Sequence, residues 1–184
     1  MRNENIHKVV LDCNILVDLY LSTKVKNQPF ETTTGGQMLN AALRHRRTES
    51  GERIVFVTNW HICATTGEVL AKKLKVTTLD EYWAWMNNLQ THLLAQEAVI
   101  YDTSPQDVKQ MLARSRQDDG CRDFEGNPDT EDEFVLDLVA RTRSFLYTNE
   151  NPDNLPAAAR RRGLKVGDLR AMLSGSRTRQ QLAA

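Results

Sequence analysis

Cysteine is scarce in this chain and never paired in spacing: Cys13, Cys63 and Cys121 lie far apart. That argues against a zinc knuckle or a disulfide framework and suits a reducing compartment. No apolar run approaches the length of a membrane span, and the opening residues, MRNENIHK, lack the apolar core of a signal peptide. The expectation is a cytosolic protein with no membrane partner. Glycine-rich phosphate loops, internal repeats and long linkers are all missing. So is net charge: 24 basic side chains balance 24 acidic ones, so any polyanionic partner must be met by local patches.

What is present is the composition of an ordinary globular protein, 40% hydrophobic and 26% charged. At 184 residues one domain is expected, over 1–175, with 176–184 as a flexible tail. The charge is unevenly placed. Residues 114–133 carry eight acids against three bases, and residues 158–179 carry seven bases against Asp168 alone.

Short apolar runs alternate with helical patterns. KVVLD (8–12), ERIVFVT, AVIYD, SFLYT and GLKV read as strands, the first two rich in valine, isoleucine and leucine as buried parallel strands are. Helices are expected from about Asn14, with Asn14 as N-cap, over QMLNAALRHRR, over 60–75, over TTLDEYWAWMNNLQTHLLAQ and from SPQDVKQML. DTEDEFVLDLVARTR is another helix, its acids crowded into the first turn where the dipole favours them, and a last helix follows GLKV. Loops are expected over 117–128 and NENPDNLP. The alternation predicts a three-layer α/β/α sandwich around a mostly parallel sheet, in which ligands sit outside the carboxyl ends of the strands. Asp12 ends the first strand, Asp129 and Asp132 open the acidic helix, and Glu150 follows the fourth strand. The topology can gather them at one edge. Asp12 is either a structural cap or the first member of that site.

Four stretches, in order, resemble the PIN domain, the nuclease fold of VapC-like toxins and RNA-processing enzymes. VVLDCNILV resembles its opening strand followed by Asp, any residue, then Asn, Ser or Thr. Glu68 in TTGEVLAKKL stands where the family places an acid on its second helix. DTEDEFVLDLVA resembles an Asp-x-x-Asp helix start, and FLYTNENPDNL a strand-Thr-x-Asp element in which Glu150 replaces the usual Asp. The resemblance spans most of 8–155. It implies a metal-dependent endoribonuclease in which Asp12, Glu68 and Asp132, with Asp129 or Glu150, hold Mg²⁺ or Mn²⁺. Hard cations prefer such oxygen donors, and they serve phosphodiester hydrolysis by activating water and neutralising phosphate charge. Carboxylates drawn together without a cation should have raised pKa values. The resemblance also implies an RNA substrate and, for a toxin, an antitoxin partner and a homodimer; stand-alone processing nucleases share the family.

Asn14 and Thr148 read as supporting polar groups, or as caps. The basic stretch ARRRGLK offers Arg160, Arg161, Arg162 and Lys165 as phosphate contacts, or as a solvated helix end. Cys13 lacks a histidine partner and reads as core, as do His61 and His92; Trp60, Trp83 and Trp85 read as core or a partner surface. Two rival functions stand beside the nuclease. One is a PIN-fold module that binds RNA or protein without cutting. The other is a haloacid-dehalogenase-like phosphatase with Asp12 as nucleophile, which needs an aspartate where Asn14 stands.

Overall fold

The structure, a computed structural model, describes residues 5–29, 32–33, 37, 48, 50–75, 80–84, 87, 99–101, 105–123, 125–148, 150 and 153–167. Among the described residues five strands form one sheet: β1 (Ile6–Leu11), β2 (Arg53–Asn59), β3 (Val99–Tyr101), β4 (Phe145–Tyr147) and β5 (Lys165–Val166). Their order is β3-β2-β1-β4-β5 and every pairing is parallel. Helices among the described residues include α1 (Cys13–Tyr20), prolonged by a π-helical turn (Leu21–Val25), α2 (Trp60–Leu74), α3 (Pro105–Ser115), α4 (Thr130–Thr142) and α5 (Leu155–Arg161). Together they build the three-layer α/β/α sandwich expected of the alternating pattern.

The core follows from β1 and β2, whose central residues are buried as a parallel sheet covered on both faces requires. Val9, Val10, Ile15, Leu19, Leu70, Leu136 and Leu146 are essentially inaccessible. Helix α2 packs on α1 and α4, and α4 reaches β1, β2 and β4. A helical stretch over 80–84 closes on α2 at Gly67, where a Cβ would stand 2.7 Å from the Tyr82 ring. The Tyr82 hydroxyl donates to the Cys63 carbonyl.

Winding direction sets the place of the site. Strands β1, β2 and β3 step outward one way and β4 and β5 the other, so the topology switches between β1 and β4. A crevice opens at the carboxyl ends of such a pair. Here those ends are Leu11 and Tyr147, followed by Asp12 and Thr148, and the Asp12 amide donates to the Tyr147 carbonyl at 3.1 Å.

Some local expectations differ from the outcome. Strand β1 begins at Ile6, because pairing with Arg53 extends it, and ends before Asp12. Asp12 therefore takes the N-cap position of α1 and Asn14 lies inside the helix. The stretch after NENPD is not all loop: α5 starts at Leu155 with a proline in its first turn, where the missing N–H costs nothing. Most of the helix expected over 37–47, much of the one over 77–96, His92, Trp85, the final helix and the tail fall outside the described residues. No helix among the described residues is long and apolar enough to cross a membrane.

Candidate functional site

Asp12 leaves β1 with extended backbone and its side chain makes no capping bond to α1. Instead Oδ2 accepts from the Thr148 hydroxyl at 2.9 Å and from the Asn14 amide at 3.1 Å. Oδ1 is buried with no hydrogen-bond partner. A lone anionic oxygen in that position is costly, and burial accordingly raises the Asp12 pKa while the Thr148 bond opposes the rise. Asp12 thus occupies the N-cap position of α1 without a side-chain capping bond, and it lines the cleft.

Asn14 ties the next acid to the first. Its Nδ2 also donates to Glu150 Oε1 at 2.7 Å, so one amide bridges two carboxylates from distant parts of the chain. Thr148 supports both, since its hydroxyl accepts from the Glu150 amide at 3.0 Å. Glu150 is half-buried, and burial followed by Asp12 raises its pKa.

Helix α4 supplies the other wall. Asp129 is its N-cap, with Oδ1 accepting from the amides of Glu131 and Asp132 at 3.0 Å each. Asp129 is thus the cap of α4 and also lines the cleft. Asp132 lies one turn before Val135 on the same helix stripe, and its pKa is pushed up to about 9, by burial first and then by Asp129, Glu150, Asp12 and Glu131.

These residues line one cleft of about 170 Å³: Asp12, Asn14, Asp129, Glu131, Asp132 and Glu150 supply its polar wall, with Ile62, Thr65 and Val69 of α2 opposite. Glu131 was not anticipated. It precedes Val135 by four residues as Asp132 does by three, and that shared face was the available signal. Burial, Asp129 and Glu68 raise its pKa, while Lys72 opposes the rise. Glu68, expected among the ligands, is exposed and does not belong to the lining; it acts on the cleft through Glu131, from the rim.

The expected phosphate contacts separate. Arg162 is not available to a phosphate: its Nη1 and Nη2 each lie 2.6 Å from an oxygen of buried Glu133. Lys165 stands with its ammonium 4.9 Å over the Phe145 ring, not at the cleft. Arg160 and Arg161 are exposed at the end of α5. Cys13 lines the cleft, but burial and Asp12 raise its thiol far above the range of a nucleophile. His61 stacks on Phe134 with ring centroids 3.6 Å apart, and burial lowers its pKa. Trp60 and Trp83 are partly exposed rather than core.

Among the described residues no three His, Cys, Asp or Glu side chains stand close enough together to hold a metal ion as they are. The donor set nonetheless fits a hard cation. It is all oxygen, burial first and neighbouring carboxylates second raise the pKa of Glu131, Asp132 and Glu150, and Asp12 Oδ1 lacks any partner. The fold and this crevice define a parallel α/β/α protein with an acidic cleft at its topological switch point. No protein-family model matches the chain, and no curated protein matches its sequence.

Proposed function

We propose that the chain is a metal-dependent endoribonuclease of the PIN type, hydrolysing RNA phosphodiesters in this cleft. The observation that carries the reading is the convergence of Asp12, Asp129, Glu131, Asp132 and Glu150 on one crevice at the carboxyl ends of β1 and β4. Three of the four stretches that resemble the PIN motifs supply the acids that meet there: the Asp after β1, the Asp-x-x-Asp opening of α4, and the acid after β4.

In this reading Asp12, Asp132 and Glu150, with Asp129 or Glu131, hold Mg²⁺ or Mn²⁺. When bound, the cation supplies an activated water at neutral pH and neutralises charge on the phosphate. The chain's own part is positioning. Asn14 and Thr148 fix Asp12 from one side, Asn14 orients Glu150, and Asp129 sets the first turn of α4 so that Glu131 and Asp132 face inward. Ile62, Val69 and Val135 make the remaining wall apolar, which strengthens each electrostatic contact within. Glu68 serves from the rim. An antitoxin that covers the cleft, and a homodimer, belong to the toxin form of the same reading.

The test is cleavage of a generic single-stranded RNA with and without Mg²⁺ or Mn²⁺, in wild type and Asp12→Asn. The expected result is metal-dependent cleavage that Asp12→Asn abolishes while the fold persists, since the change removes charge and little volume. Asp12→Asn with wild-type activity rejects the site. RNA binding without cleavage at any metal concentration favours the binding module instead. Hydrolysis of a small phosphate monoester in place of RNA favours the phosphatase.

A further inference from the structure

Hydrogen-bond donors are what the cleft is short of. Among the described residues its lining holds no lysine, arginine or histidine. Carboxylates ionised around a cation only accept hydrogen bonds, as do the non-bridging oxygens of a phosphate. The Asn14 amide already donates to Asp12 and to Glu150. Cys13 contributes a thiol, a weak donor that already interacts with Asp12. Thr65 remains. It lines the α2 wall between Ile62 and Val69, three residues after the one and four before the other, so all three share one helix face. Thr65 is 5% exposed, yet its hydroxyl has no hydrogen-bond partner among the described residues. Its neighbour shows the usual alternative for a helical threonine: the Thr66 hydroxyl donates back to the Ile62 carbonyl at 2.7 Å, as Thr142 does to Leu138 at 2.6 Å.

We propose that the Thr65 hydroxyl seats the substrate in the cleft by donating to a non-bridging oxygen of the RNA phosphate. This rests on the nuclease reading and adds a substrate contact to it. The cleft measures about 170 Å³, so a phosphate that enters it meets both walls, the acids on one side and α2 on the other. On the α2 side Ile62 and Val69 offer no hydrogen bond, and a phosphate oxygen against them alone would be desolvated without a partner. The Thr65 hydroxyl supplies that partner. A donor to a charged acceptor is worth more in such partly apolar surroundings than in water. Being neutral, the hydroxyl also leaves the carboxylates to the cation, which an ammonium in the same place would not.

The experiment compares Thr65→Val, which keeps the shape and removes the hydroxyl, and Thr65→Ser, which keeps the hydroxyl, with wild type on a single-stranded RNA oligonucleotide. Thr65→Ala is the second hydroxyl-free variant, should Thr65→Val fail to fold. At saturating Mg²⁺, Thr65→Val is expected to raise KM about tenfold with kcat changed less than about threefold, and Thr65→Ser to stay within about threefold of wild type. The Mg²⁺ midpoint of cleavage should not move. Equilibrium binding of the same oligonucleotide on an Asp12→Asn background should weaken about tenfold with Thr65→Val and little with Thr65→Ser. If wild type cleaves and Thr65→Val matches it in KM and affinity, the contact is refuted and the nuclease reading stands. A loss that shows only as a raised Mg²⁺ midpoint, or one that Thr65→Ser shares in full, also refutes it. If wild type binds the oligonucleotide without cutting it, and Thr65→Val alone weakens that binding, the contact survives and the nuclease reading fails.

Discussion

Arg162 grips Glu133 through both guanidinium nitrogens, 2.6 Å each, although Glu133 is 1% exposed. The Cys121 amide donates to the same carboxylate at 2.7 Å, and Arg162 Nη2 reaches the Asp119 carbonyl at 3.1 Å. Burial would raise the Glu133 pKa, but the Arg162 bonds outweigh it and the group ends below its ordinary value. The pair thus clamps α4, the loop over 117–128 and the end of α5. Removing one partner leaves a buried charge without its counter-charge, so Arg162→Ala should lose about 3–5 kcal/mol in urea unfolding. The double change Glu133→Met with Arg162→Met should lose less than the single one. A single-variant loss under about 1 kcal/mol would show that the pair is not a clamp.

Asn14 is the shared donor to Asp12 and Glu150, and its replacement tests whether the two acids need that bridge. Asn14→Ala should reduce metal-dependent cleavage about 10–100-fold, chiefly by weakening the apparent affinity for Mg²⁺. Metal titration of cleavage reads this directly. Unchanged metal dependence would assign Asn14 to the wall of the helix alone.

Glu150 stands where the resembling family has aspartate. Its carboxylate is fixed by Asn14 at 2.7 Å, so charge matters here more than length. Glu150→Asp should retain much of the activity and Glu150→Gln should lose far more, compared at limiting Mg²⁺ and Mn²⁺. If Gln cuts as well as wild type, Glu150 is a loop residue.

His7 gives the fold an acid sensitivity distant from the cleft. Its ring stacks on Phe145 at 4.2 Å, Nε2 meets the Tyr147 hydroxyl at 3.1 Å, and Nδ1 lies 3.6 Å from Glu52. Burial lowers its pKa, Glu52 opposes this and Lys165 adds to it. The folded chain therefore binds this proton less readily than the unfolded one. His7 costs nothing above the unfolded value of about 6.5 and stability is lost as pH falls from there through the lower folded value. Thermal unfolding between pH 7.5 and 5 should show a steeper fall in wild type than in His7→Gln. Parallel curves would remove His7 as the cause.

Much of the architecture was readable because it rests on local pattern. VVL (9–11) and IVFV (54–57) are apolar on successive residues, as strands of a sheet covered on both faces are, and the Asp129 cap follows from a short acid before an apolar helix. The division of labour among Glu131, Asp132 and Glu133 was not readable. They are adjacent in sequence, yet two face the cleft and the third faces Arg162, and only the packing of α4 between two neighbours decides which. Arg162 was misplaced for the same reason: in ARRRGLK nothing marks one arginine as the partner of a buried acid. Glu68 was brought too far inward by its motif position, since the helix stripe that lines the cleft runs through Thr65 and Val69.

The hydrogen bond from Thr148 to Asp12 joins residues 136 positions apart. A ribosome adding 5–20 residues per second needs roughly 7–27 s to make the stretch between them. For that whole interval the emerging chain carries Asp12 without Thr148 or Glu150. A chain released within that interval therefore lacks both the hydroxyl that holds Asp12 and the Glu150 wall of the cleft, so the acidic cleft is a late product of synthesis.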